Sequence, residues 1–222
     1  MHVLHVNFAD PHGSAGRMVG TLIDATERLG HTAQLVSRPN VPADQRLVPV
    51  ALPRAQWQKT LFRNQTRQGI FDMASAAMVS ILSNPVFERA DIVHLHWMSG
   101  SYFSYLLLPF LTAKPAVWTF HDPAAFTAGC RCPGDCREWR DNWCAKCPAD
   151  RGKSGRPLRR DLVQMIKAAI YKIAKFTAVC PSAYLFGQTK AGILKDHDVR
   201  LIYHGVDAGI YCPGDRVQAR IR

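Results

Sequence analysis

The chain has 222 residues, 47% hydrophobic and 20% charged, and Lys and Arg outnumber Asp and Glu 28 to 17 for a net charge of +11. This is the composition of a soluble globular protein with one large domain or two small ones. Its charge points to an acidic partner: nucleic acid, anionic lipid or a phosphorylated ligand. A bilayer-spanning segment is excluded because the most apolar stretch, 102–111, is far too short. No secretory signal is expected, since residues 1–5 show no basic stretch leading into an apolar run. The expected compartment is the cytoplasm, where thiols stay reduced.

Residues 2–8 read as a buried strand and 9–16 as a turn-rich loop. Residues 17–30 read as a helix, with Met18, Leu22, Ile23 and Leu29 near one face and Gly30 as its stop. Residues 32–37 form a second strand, which completes the usual opening of a doubly wound, Rossmann-like α/β sheet. Four prolines (Pro39, Pro42, Pro49 and Pro53) argue against long elements in 38–68, which reads as a loop over the front of the sheet. A helix is expected over 70–82, a strand over 91–97, a helix disturbed by Pro109 over 102–113, and a strand over 116–121. A cysteine-rich insertion, 122–157, interrupts the rhythm. An amphipathic helix follows over 158–175, with Leu158, Leu162, Ile166, Ile170 and Ile173 as its apolar stripe. A strand and helix start follow over 176–182, with Pro181 and Ser182 at the junction, and a last strand and turn over 199–207. Each strand leads into polar or small residues at its C-terminal end, where open parallel sheets place ligands.

The first such end is Gly13-Ser14-Ala15-Gly16. Small residues at a helix start let backbone N–H groups approach a phosphate, although a tight turn without ligand reads equally well. The spacing is not G-x-G-x-x-G and the second strand ends at Arg38 rather than an acid, so ordinary NAD binding is disfavoured. His94 and His96 alternate along their strand and are read as facing opposite sides, so at most one would face the core. A lone strand histidine is most often structural. His121 ends a strand and precedes Asp122, a place where a histidine can act as general base or bind a hydroxylated substrate.

Five of the seven cysteines fall in the insertion, in the pattern C-x-C-x3-C-x7-C-x2-C. Cys144 and Cys147 supply two tetrahedral ligands from one turn, and two of Cys130, Cys132 and Cys136 would complete a structural zinc site. The preferred set is Cys130, Cys136, Cys144 and Cys147, with Cys132 as substitute; disulfides and unligated thiols are the alternatives. The densest basic region is 151–160, extended by Lys167, Lys172 and Lys175. It reads as a solvated face or as a patch for an anionic membrane surface, with Arg156, Arg159, Arg160 and Lys167 as its core. Nucleic acid is not expected, because Trp139 and Trp143 do not interleave with these cations.

Several segments together resemble one family. The opening 3-VLHVNFADPHGSAGRMVGTL-22, the strand 91-DIVHLHWMSG-100, the stretch 115-PAVWTFHDPAAFTAGC-130 with its spaced cysteines, and the pair 181-PSAYLFG-187 and 202-IYHGVDAGIYCPGD-215 are similar to the N-terminal half of GT-B glycosyltransferases of family 4. The kin in view are bacterial enzymes of exopolysaccharide and colanic-acid-like assembly. The resemblance implies a glycosyltransferase of hexosyltransferase type, using a nucleotide-sugar donor and a saccharide or lipid-linked acceptor. It implies that His121 lies near the acceptor and the reactive carbon, supported by Asp122. The 13–16 loop would approach the donor diphosphate, and His96, Trp97 and Ser99 would line the acceptor cleft. Helix 158–175 would dock a lipid-linked acceptor at the inner membrane face, making the protein peripheral there. No metal is needed for catalysis; zinc would be structural.

The departures from the family pattern are Ser14-Ala15 after Gly13, Ala128-Gly129 where paired glycines are common, and His204 in place of asparagine. The expected organisation is a Rossmann-like domain over 1–205 with linker beginning at 206–222. The donor-binding domain is expected to be absent, to be supplied by a separate polypeptide. The alternatives are a non-catalytic glycan- or lipid-binding module, a truncated inactive fragment and, last, a zinc-containing nucleic-acid binder.

Overall fold

The computed structural model describes residues 1–9, 13–37, 46–49, 56–70, 72–98, 102–148, 159–209, 212–215 and 220. The strands are β1 (His2–Val6), β2 (Thr32–Ser37), β3 (Leu47–Pro49), β4 (Ile92–Leu95), β5 (Ala116–Thr119), β6 (Thr177–Cys180) and β7 (Val199–Leu201). The helices are α1 (Ser14–Arg28), α2 (Gln56–Gln68), α3 (Ala77–Leu82), α4 (Pro85–Arg89), α5 (Leu108–Leu111), α6 (Glu138–Asp141), α7 (Arg160–Tyr171) and α8 (Ala183–Lys190). All seven strands join one parallel sheet in the order β3-β2-β1-β4-β5-β6-β7. The order reverses between β1 and β4, and a crevice at such a reversal is where doubly wound sheets bind ligands. The Rossmann-like α/β expectation therefore holds.

Alternation along the strands builds a core on each face. Ala33 and Leu35 pack under α1 with Val19 and Ile23. Leu4, Val6, Phe8, Val36, Val93 and Leu95 belong to the much larger core on the other face. There Trp118 sits at the centre of an aromatic cluster with Phe103, Phe120, Tyr171 and Phe176, at centroid distances of 5.2–6.3 Å. Complete burial of each such ring contributes on the order of 2–3 kcal/mol.

Local chemistry sets several boundaries. Gly30 takes φ +80 just past α1, the left-handed position that lets a helix end. Asn84 caps α4 through Oδ1, which accepts from Val86 N at 2.9 Å. Pro109 sits in the first turn of α5, where no N–H is needed, so it starts that helix rather than disturbing one. The expected helix over 70–82 begins only at Ala77, because Asp72 takes φ 57. The loop expected over 38–68 contains β3 and α2. The edge position of β3 tolerates Pro49, while Pro39, Pro42 and Pro53 fall outside the described residues.

Two helix faces differ from expectation. In α1 the buried residues are Ala15, Gly16, Val19 and Ile23, and Leu29 is exposed. In α7 the buried stripe is Val163, Gln164, Lys167, Ile170 and Tyr171. Leu162 and Ile166 are half-buried, Ile173 is exposed, and Leu158 lies outside the described residues.

Candidate functional site

The C-terminal ends of β4 and β5 place the leading candidates side by side. His121 follows β5 and is held among other histidines, with ring centroids 5.9 Å from His96 and 5.7 Å from His204. Burial, reinforced by the nearby His204 charge, lowers its pKa to about 4, so the ring is neutral at neutral pH. Its Nε2 is buried with no hydrogen-bond partner among the described residues. A neutral imidazole with a free nitrogen is a hydrogen-bonding group for a hydroxyl, and a weak base.

The partners of the Asp122 carboxylate are Ala124 and Arg131 rather than the His121 ring. Its Oδ1 accepts from Ala124 N at 2.8 Å and so caps the 3₁₀ turn Pro123–Ala125. Its Oδ2 lies 3.7 Å from Arg131 Nε. Burial raises the Asp122 pKa, and the Ala124 N–H, Arg131 and Lys167 pull it back. Arg131 also lies 4.6 Å over the Trp97 ring. Trp97, Arg131 and Asp122 thus form a stacked, charged wall beside a cavity of about 20 Å³ lined by His96, Trp97, Trp118 and His121 among others. A half-buried tryptophan under a guanidinium is a surface for a sugar ring or an anionic group.

At the neighbouring end, Gly13 is the N-cap of α1, and Ser14, Ala15 and Gly16 form its first helical turn rather than a loop. No acidic side chain stands in that turn. Its N–H groups and positive dipole end point to the C-terminal edge of the sheet, where they suit an anion. Ser99 lies outside the described residues. His96 is almost fully buried, with Nε2 3.0 Å from His5 Nδ1, and it forms part of the lining of the small cavity beside Trp97.

His94 and His96 do not face opposite sides. Residues two apart on a strand share a face, and their rings lie 4.1 Å apart, centre to centre. His94 also bonds Thr119 Oγ1 through Nε2 at 2.8 Å.

The basic-patch expectation needs correction at Lys167. That side chain is 1% exposed and donates from Nζ to Ala124 O at 2.6 Å and Thr127 O at 2.8 Å. Arg160 is half-buried and donates to Ala128 O at 2.9 Å. Arg159 is exposed beside Asp161 at 3.4 Å, and Arg156 lies outside the described residues.

Gln164 and Tyr171 complete a pattern that the sequence reading missed. Gln164 Nε2 donates to Phe126 O and Tyr171 OH to Ala125 O, at 2.9 and 2.6 Å. One face of α7, with residues 160, 164, 167 and 171 spaced by three and four, therefore satisfies the carbonyls of five consecutive residues, 124–128. This comb fixes the segment that leaves His121 and Asp122. Its signal was present as polar residues at helical spacing inside an apolar helix. Arg131 carried no such signal, because its role depends on the insertion folding back over Trp97.

Cys144 is buried, Cys130, Cys136 and Cys147 are half-buried, and Cys132 is exposed. Burial raises the pKa of Cys130 and takes that of Cys144 to about 11, and the neighbouring cysteines add to both shifts. Cys136 and Cys147 raise both, Cys130 also raises Cys144, and a backbone hydrogen bond from Cys132 lowers Cys130. Among the described residues, however, the group that brings three metal-ligating atoms within 4.8 Å of one another is His5, His94 and His96, not a set of cysteines.

No helix among the described residues is long and apolar enough to cross a membrane. No curated protein matches the chain. The family model for Glycosyltransferase Family 4 matches residues 12–209, which takes in the α1 turn, the His121–Asp122 edge, the cysteine segment and β7. That span covers most of the sequence, and the chain belongs to glycosyltransferase family 4.

Proposed function

We propose that this chain is the acceptor-side domain of a GT-B enzyme of hexosyltransferase type. It transfers a sugar from a nucleotide-sugar donor to a saccharide or lipid-linked acceptor in bacterial surface polysaccharide synthesis. The observation that carries this reading is the gathering of Trp97, His121 and Asp122 around one small cavity at the C-terminal edge of β4 and β5, with Arg131 joining Asp122 to the Trp97 ring. Polar, aromatic and cationic groups suited to sugar hydroxyls gather there. The uncompensated N-terminus of α1 suits a diphosphate, whose growing negative charge it would stabilise as the sugar–phosphate bond breaks. Donor-side groups come from a second domain or polypeptide. His121, neutral and with a free nitrogen, hydrogen-bonds the acceptor or the transferred sugar. Asp122 holds Arg131 against Trp97 and keeps the turn after His121 in place.

The test is sugar transfer by this chain combined with a donor-binding half, using lipid-linked and free saccharide acceptors. His121→Ala should cut turnover roughly 100-fold or more while leaving the circular dichroism spectrum unchanged. Unchanged turnover removes His121 from the mechanism. Glycan binding with no transfer in any mixture would favour a non-catalytic binding module.

The cysteine segment is proposed to hold a structural zinc on Cys130, Cys136, Cys144 and Cys147, outside the chemistry. Two features support this. The four thiols lie within electrostatic reach of one another. Trp143 and Cys144 take φ 55 and 58 in succession, a conformation costing about 1–2 kcal/mol per residue that a ligand would help to hold. Cobalt substituted here should give thiolate-to-metal charge-transfer absorption, absent in Cys144→Ser. Well-folded protein that shows no thiolate-bound metal overturns the assignment. Peripheral contact with an anionic inner membrane is proposed to rest on Arg159 and the 151–158 segment, without Lys167.

A further inference from the structure

Three histidines with no part in the transfer chemistry proposed above meet on one face of the sheet. His5 of β1 and His94 of β4 are register partners, and His96 lies two residues beyond His94. All three side chains share a face by strand alternation. The ring centroids are 5.1 Å apart for His5 and His94, 5.3 Å for His5 and His96, and 4.1 Å for His94 and His96. One nitrogen from each lies within 4.8 Å of the other two.

We propose that His5, His94 and His96 form a binding site for a divalent transition-metal ion, zinc by preference, distinct from the cysteine segment. Imidazole nitrogen suits zinc among such ions, and three protein nitrogens with an open fourth position are an established zinc ligand set. With zinc–nitrogen bonds near 2.0–2.1 Å, nitrogens on one tetrahedral ion lie roughly 3.3 Å apart. His5 Nδ1 and His96 Nε2 are already 3.0 Å apart, and one nitrogen of each ring lies within 4.8 Å of the other two, so rotation of the His94 ring toward that pair would seat the ion. Hydrogen bonds pair His5 with His96 and His94 with Thr119, and a metal ion would in addition account for the convergence of one nitrogen from all three rings.

The surroundings favour ligation. Burial keeps all three rings neutral, the form that binds metal, so no proton need leave on binding. Two ligands sit on one central strand and the third on its hydrogen-bonded neighbour, which fixes their spacing. Thr119 Oγ1, 2.8 Å from His94 Nε2, sets the orientation of that ring. His94 is also the half-buried member, and it lines a cavity of about 300 Å³ bounded by Met18, Leu22, Ile202 and His204 among others. The cavity gives an ion its access and the fourth position room for water or an anionic group.

The test uses the full chain, freed of metal by chelation and titrated with cobalt(II) or zinc(II). Cobalt on three imidazoles gives visible d–d absorption without thiolate charge transfer, which separates this site from the cysteines. Long-range proton–nitrogen spectra of the unaltered chain should show three imidazoles shifting as zinc is added. His94→Asn, at the exposed edge of the trio, should abolish the imidazole component and keep any thiolate component. Imidazole signals unmoved by zinc overturn the proposal, as does a His94→Asn variant with the same imidazole-bound cobalt spectrum as the parent. The spectra of the parent chain decide the question even where a variant folds poorly.

Discussion

Replacing Lys167 with alanine should lower the unfolding free energy by about 3–5 kcal/mol, one of the largest single-residue losses in the chain. Lys167 lies in the middle of α7, and its Nζ donates to Ala124 O and Thr127 O. The same Nζ sits 4.2 Å from the centre of the Tyr105 ring. Burial brings its pKa down to about 7, with Asp72, Cys144 and Asp122 opposing that fall. Alanine would leave two carbonyls short of a donor at about 1–3 kcal/mol each, and would empty the volume of the lysine stem. Lys167→Met keeps most of that volume, so its loss relative to the parent isolates the hydrogen-bonding part, and the gap between the two variants isolates the packing part. Urea unfolding measures both. An alanine variant within about 1 kcal/mol of the parent would mean that the turn after Asp122 is held by other contacts. In an active assembly the same variant should also lose turnover, because the 124–128 segment carries His121 and Asp122 on its leading end.

Much of the fold was legible because the apolar strand runs are distinct in sequence outside 38–68. The apolar runs at 2–8, 91–97, 116–121 and 176–182 became β1, β4, β5 and β6, and Gly30 and Ser182 marked helix boundaries. Helix α2 was hidden because Gln58 is its one buried residue, so it has no apolar stripe to read. β3 was hidden by length and by Pro49, which only an edge strand allows.

The site was legible at His121 and at the start of α1, where position at a strand end is enough. It was not legible at Arg131, whose partners Trp97 and Asp122 come from two other segments. Lys167 was misread as surface because a lysine in a basic region looks solvated. Only the tertiary demand of five unpaired carbonyls draws it and its neighbours inward. The histidine trio was obscured by assigning His94 and His96 to opposite faces. A period-two strand puts them on one, and the β1–β4 register then brings in His5.

Metal-free protein should lose stability steeply as the pH falls from about 6.5 to 4. His5 and His121 are each lowered by burial from 6.5 to about 4. The unfolded chain therefore binds more protons than the folded one in that window, so stability rises with pH there. Above 6.5 the contribution is fully present, and it is lost as the pH drops through the window. The gap corresponds to about 3 kcal/mol for each histidine when complete. His94, lowered to about 3, carries the loss further down. Asp122 opposes the trend, because burial raises its pKa and its protonation favours the folded state. The lowered carboxylates Asp141, Asp161 and Asp198 have ordinary values near 3.8, so they act mainly below this window. Melting temperature measured from pH 8 to 4 should thus be nearly flat at first and then fall. His121→Gln should flatten the fall by up to about 3 kcal/mol, since glutamine does not titrate. A melting temperature that holds level down to pH 4, or an unaltered slope in His121→Gln, would show that these rings are solvated rather than packed. With zinc in the histidine trio the curve should lie higher and the fall, still starting near 6.5 where the unfolded rings charge, should continue to lower pH, because protons must displace the ion before the folded rings can charge.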